Sequence, residues 1–173
     1  FLGDTVRATY FTCDYMICDS DRPGDKAVLD FGLRLPKGMD AVAPGRLVRM
    51  SPQEDGTVLW RWHERRPTSA YLFGFAAGRF ERVALPGARP ALFVLANAGQ
   101  GGRAAQLFGD TRRMLEFFER KSGVRFGEPA YTQVLAEGSE AQEAAAHAVI
   151  GTEEITPILN DPHEDWVVAH ELA

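Results

Sequence analysis

Three His-Glu pairs stand in this sequence: His63-Glu64, His163-Glu164 and His170-Glu171. An imidazole beside a carboxylate can hold zinc and handle the proton of a zinc-bound water. The pair does so when a second His follows in the pattern His-Glu-x-x-His, because helical side chains four apart share a face. His63 fails that test, since position 67 is Pro67, which a helix interior tolerates poorly. His163 fails because Val167 stands where the second His belongs. His170-Glu171-Leu172-Ala173 is half of the motif, with the sequence stopping one residue short of the deciding position. Its flanks, Val167-Val168-Ala169 before and Leu172-Ala173 after, are apolar or small. A surface His-Glu pair would more often have polar neighbours.

The other chemistry-bearing residues invite blander readings. Glu143 lies in the alanine-rich stretch Glu140-Ala141-Gln142-Glu143-Ala144, and Glu153-Glu154 reads first as an exposed acidic pair, with a place near a substrate cleft as the alternative. His147 and His163 read as surface or boundary histidines. Cys13 and Cys18 read as two free thiols in or near a core, not as a disulfide framework. Ala98-Gly99-Gln100-Gly101-Gly102 lacks the Lys-Ser/Thr ending of a phosphate loop and the spacing of a dinucleotide fingerprint. It reads as a flexible connector near a domain boundary.

The charge balance narrows the partners. The 173 residues carry a net charge of −5, and their basic residues are scattered. A nucleic-acid-binding face would show clustered Lys and Arg, so no nucleic acid is expected. No window approaches the roughly 18 apolar residues of a membrane span. The first residue is Phe1 and no charged-then-apolar leader follows it. The compartment is not readable; the cytoplasm is favoured only because no leader is visible.

These residues need elements to position them. Leu29, Phe31, Leu33 and Leu35 alternate with polar positions or glycine, which is the period of a half-buried strand. Pro36-Lys37-Gly38 turns the chain. Ala41 to Met50 reads as a strand interrupted by Pro44-Gly45, at an edge or bulge. Glu54-Asp55-Gly56 is a hairpin signal leading into Val58, Trp60 and Trp62 on one face. Tyr71 to Phe80 and Pro90 to Ala96 are further strands. Short strands at this spacing predict an antiparallel β-sandwich. A helix is predicted over 103–122 from the stripe Ala104, Leu107, Phe108, Thr111, Met114, Leu115 and Phe118, closed by Gly123. Tyr131 to Ala136 and Ala148 to Ile155 read as strands. Glu137 to Ala148 is ambiguous, with helix favoured by propensity. A last helix is predicted over 162–173, capped by Asp161 with Pro162 in its first turn.

In order and spacing, several segments resemble the M1 family of zinc aminopeptidases, the gluzincins. They are Cys18 to Ala27, Asp30 to Val42, Pro67 to Glu81, the helix Thr111 to Glu119, the turn Phe126-Gly127-Glu128-Pro129, and Val167 to Ala173. The resemblance implies a mixed, β-rich fold. A β-sandwich portion of the family's N-terminal domain (1–88) would precede the α+β start of a thermolysin-like catalytic domain (89–173), with the boundary between 84 and 102.

By the same resemblance, His170 is the first ligand of a catalytic Zn2+. Glu171 polarises the zinc-bound water and shuttles its proton. Glu143 falls at the acidic position of the family's Gly-x-Met-Glu-Asn motif, whose Glu binds the substrate's α-amine. The Gly, Met and Asn of that motif are absent here. The implied substrates are peptides, cleaved at their N-terminal bond. The implied partner is the remainder of the catalytic domain, which would carry the second zinc His, a distal zinc Glu and an oxyanion-stabilising Tyr. The chain alone is expected to be inactive, with Trp166 and Val168 exposed. A non-catalytic scaffold of the same family and a β-rich interaction module stay open as alternatives.

Overall fold

The computed structural model describes residues 5–8, 22–161 and 163–173. Cys13, Cys18 and Pro162, and the readings that fall on them, lie outside these. The chain is β-rich with antiparallel sheets. It divides into two compact units, Phe1–Phe80 with Ala144–Ala146, and Glu81–Glu143 with His147–Ala173. No described helix is long and apolar enough to cross a membrane.

The first unit holds two three-stranded sheets. In the larger, β2 (Lys26–Pro36) and β4 (Arg46–Pro52) flank β5 (Thr57–Ser69), both pairings antiparallel. In the smaller, β1 (Thr5–Ala8) and β3 (Asp40–Val42) flank β6 (Phe75–Gly78), again antiparallel. The expected alternation is present: Leu29, Phe31, Leu33 and Leu35 turn inward while Asp30, Gly32 and Arg34 are exposed. Trp60 and Trp62 stack with ring centroids 5.7 Å apart and pack with Leu35, Ala41, Ala43 and Ala77. That cluster joins the inner faces of the two sheets, as a sandwich core does. Pro67 is accommodated because the β2–β5 register is irregular there: Ala27 pairs with Thr68 but Leu29 with Glu64. A bulge is where a strand can carry a residue with no N–H to donate.

The stretch Ala41 to Met50 is two strands in different sheets. The chain crosses from β3 to β4 through Ala43-Pro44-Gly45. Gly45 has φ +77°, and a Cβ there would lie 2.5 Å from the His63 carbonyl oxygen and 2.6 Å from the Glu64 nitrogen. The crossing needs both the left-handed backbone and the missing side chain. Tyr71 to Phe80 likewise differs from one strand: a single 3-10 turn (Ala70–Leu72) precedes β6, and β7 (Phe80–Leu85) begins at Phe80.

The second unit is built on a five-stranded sheet. Its order is β10 (Ala141–Ala144), β11 (His147–Gly151), β9 (Ala130–Ala136), β8 (Ala91–Asn97), β7. β9 runs parallel to both β8 and β11, so the chain must cross over between them. Helices α1 (Gly101–Leu107) and α2 (Thr111–Ser122) make the first crossover. β9 is buried along nearly its whole length, as a central parallel strand is. Its core also takes in α3 (Thr156–Asn160) and α4 (Trp166–Leu172) through Ile158, Val167 and Val168.

Four expectations change in this unit. The glycine cluster is not a flexible connector, because Gly101 and Gly102 open α1. The Gly99 and Gly101 N–H groups each donate to Glu81 Oε2 at 3.1 Å, so a carboxylate satisfies donors at the helix start. The helix expected over 103–122 is two helices, broken at Phe108-Gly109-Asp110. Phe108 is fully buried, and the Thr111 hydroxyl donates to Gln133 Oε1 on β9 at 2.6 Å. Gly123 closes α2 in the left-handed conformation as expected, its N–H donating to the Glu119 carbonyl. Glu137 to Ala148, where propensity favoured helix, contains β10 and the start of β11, because pairing in the sheet outweighs a weak local preference. The last helix starts at Trp166, and Asp161 Oδ1 accepts instead from the His163 N–H at 3.0 Å.

Replacing Gly45 with Ala is expected to cost at least about 3 kcal/mol, from left-handed strain plus a backbone clash. Thermal unfolding should show a melting temperature lowered by several degrees, and an unchanged melt would refute the account of the crossing.

Candidate functional site

In the second unit, α4 presents two faces. Val167, Val168 and Glu171 are buried, while Trp166 and His170 are exposed. Trp166 and His170 lie four apart and meet edge to face, with centroids 6.5 Å apart. Trp166 is exposed as expected; Val168 is not, being 1% exposed in the core against the sheet.

Glu171 is the chemically unusual member, an acidic residue only 7% exposed. Two strands meet it. From β9, the Tyr131 hydroxyl donates to the Glu171 main-chain carbonyl at 3.2 Å, in a buried contact that ties the helix to the sheet. From the edge strand β10, Glu143 bears on the Glu171 carboxyl. Burial chiefly, and then the charge and side chain of Glu143, push the Glu171 carboxyl up to about 7 against a lowering pull from the Glu143 main chain; Glu154 adds a smaller push. Glu171 Oε2 has no hydrogen-bond partner among the described residues. Tyr131 is held protonated well above the ordinary phenol range, first by burial and then by Glu171 and Glu143.

Glu143 is itself held. Gln142, 3% exposed, donates from Nε2 to Glu143 Oε2 at 2.9 Å and to the Glu143 main-chain carbonyl at 2.9 Å. Two residues beyond β10, Ala146 takes φ +70°, a left-handed conformation that is strained for a residue with a Cβ. It lies in the two-residue link from β10 to β11, close in sequence to Glu143.

The three candidate residues therefore divide. Glu143 and Glu171 come together, and His170 points to the exposed side of the same helix as Glu171. Among the described residues, no group of three or more His, Cys, Asp or Glu side chains is placed to hold a metal ion. His63 lies on a β-strand with Nδ1 2.7 Å from Asp30 Oδ1, and His163 is exposed. His147 is fully buried in the second unit, not a surface residue. Glu154, read as half of an exposed pair, is half-buried and acts on Glu171. Sequence reasoning passed over Tyr131 and Gln142. Tyr131 was visible only as an apolar strand position and Gln142 only as a departure from Met.

No protein-family model matches this chain. It is similar to a probable aminopeptidase 1 of Saccharolobus solfataricus, 23% identical over 160 residues, covering 88% of this chain and 20% of that protein. A leucyl aminopeptidase of the same organism is 26% identical over 168 residues, covering 92% of this chain and 21% of that protein. A leucine aminopeptidase 2 of Aspergillus fumigatus is 38% identical over 61 residues, covering 34% of this chain and 10% of that protein. The chain spans about a fifth of the length of the first two.

The buried carboxyl has a measurable consequence. Its folded pKa of about 7 exceeds the ordinary value of 4.5, so the native state binds the extra proton. Its contribution is fully present below about pH 4.5 and is lost as pH rises through about 7. Glu171→Gln removes that titration. Between pH 5 and pH 8 the native protein should lose a few degrees of melting temperature relative to Glu171→Gln. A difference between the two proteins that stays constant with pH would sink this assignment.

Proposed function

We propose that this chain is part of a zinc-dependent aminopeptidase of the M1 type, carrying its amine-binding carboxylate and its proton-shuttling carboxylate. The contact of Glu143 with Glu171, from an edge strand and a helix far apart in sequence, carries the reading. The names of the relatives support the peptidase class.

Glu143 receives the substrate's α-ammonium, which fixes the first peptide bond next to Glu171. The bound ammonium also offsets the Glu143 charge, one of the causes that raise Glu171, and so favours its ionised form. Ionised Glu171 takes the proton of the attacking water and gives it to the leaving amine. Tyr131 keeps α4 at its depth through the Glu171 carbonyl. Zinc, when bound, supplies a water of near-neutral pKa and polarises the scissile carbonyl. His170 fits a ligand role by its exposed imidazole, but catalytic zinc takes three protein ligands. The other two would come from the remainder of the catalytic domain.

In the full-length protein the residue after Ala173 is expected to be His; any other residue there removes the zinc assignment. His170→Ala should release zinc, measured by metal analysis. Glu171→Gln should lower kcat by about a hundredfold or more. Glu143→Ala should raise KM for aminoacyl-anilides and abolish the preference for a free over an acetylated amine. Unchanged hydrolysis in Glu143→Ala would remove the amine-binding role. A full-length protein that binds no zinc and cleaves nothing would be a non-catalytic scaffold.

A further inference from the structure

The Glu143 carboxyl has an acidic neighbour, Glu171, and no cation pairs with it among the described residues. A carboxylate beside a second acid is repelled toward another rotamer. Gln142 opposes that tendency. A carboxamide carries two N–H hydrogens, so its Nε2 can donate to Glu143 Oε2 and to the Glu143 main-chain carbonyl at once, each at 2.9 Å. The second bond ties the amide to the strand backbone and the first ties the carboxylate to the amide. Gln142 is nearly sealed from solvent, so water does not compete freely for either bond. Met, which the resemblance places at this position, offers the same length and no donor.

We infer that Gln142 is a positioning residue for amine recognition, locking the Glu143 carboxylate in the rotamer that faces a ligand's ammonium. This rests on the reading that Glu143 receives the α-amine. The amide keeps Glu143 available as an acceptor without adding a positive charge, which an arginine or lysine in its place would bring and which would repel the ligand. In this chain the departure from Met is thus a device for holding the carboxylate.

The test uses the full-length protein stripped of metal, with leucinamide and N-acetyl-leucinamide as probes and calorimetry as the readout. The variants are Gln142→Leu, Gln142→Met and Glu143→Gln. Losing one hydrogen bond to a charged group should weaken leucinamide binding by about tenfold or more in both Gln142 variants, with no effect on the acetylated probe. In the metal-loaded enzyme, KM should rise in both while kcat changes less. If the Gln142 variants bind leucinamide as the native protein does while Glu143→Gln does not, the positioning role is wrong and the amine role of Glu143 stands. If Glu143→Gln also binds it normally, the amine role itself fails. If neither Gln142 variant shows a cooperative melt, Gln142 is a folding residue and the inference is overturned.

Discussion

The second unit is arranged around a burial that is unfavourable by itself: the Glu171 carboxyl set into an apolar core beside a second acid. Taking a carboxylate out of water is costly unless it is paired or protonated. Here the neighbour is Glu143, and burial together with that charge raises the Glu171 carboxyl to about 7. The cost is offset by the packing around it. Val167 and Val168 on the same helix belong to one buried apolar cluster with Leu92, Val94, Ala148 and Ile150. At roughly 1.5–3 kcal/mol for each fully buried side chain, the two valines are enough to keep α4 docked.

The sheet explains why the two acids meet. β9 is the central parallel strand, and its Tyr131 fixes the helix by the Glu171 carbonyl. β11 follows parallel to β9, and β10 is joined to β11 through only Ala145-Ala146. So short a link makes the pair a hairpin, which places Glu143 on the sheet's edge. There Glu143 is half-buried while Glu171 stays buried on its helix. Ala146 in the left-handed region sits at this hairpin. Strain of that kind persists only where the surroundings over-determine the backbone, as functional sites do.

Much of this was legible in the residues. The alternation of Leu29 to Leu35 announced its strand, because a one-sided sheet has no other way to bury its face. Gly123 announced the end of its helix, since few other residues accept its backbone. The misreadings share one cause. Gly101-Gly102 looked like a connector because glycine disfavours helix, yet Glu81, distant in sequence, supplies acceptors for the backbone at that helix start. Propensity favoured helix in the ambiguous stretch Glu137 to Ala148 because propensity is local, while β10 there pairs with β11. The split of the 103–122 helix depends on Thr111 reaching Gln133 across the core. Contacts between residues far apart in sequence leave no periodic trace. The same holds for the site: Glu171 was conspicuous through its motif, while Tyr131 and Gln142 had no motif to mark them.

The two motif residues of α4 then have different physical standing. Glu171 depends on this unit for its depth, its neighbours and its proton, all of which are present in the chain. Among the described residues, the ring that His170 meets is that of exposed Trp166. Adjacent residues on a helix diverge by roughly a quarter turn, so a single turn of α4 keeps the Glu171 carboxyl buried and the His170 imidazole at its exposed rim.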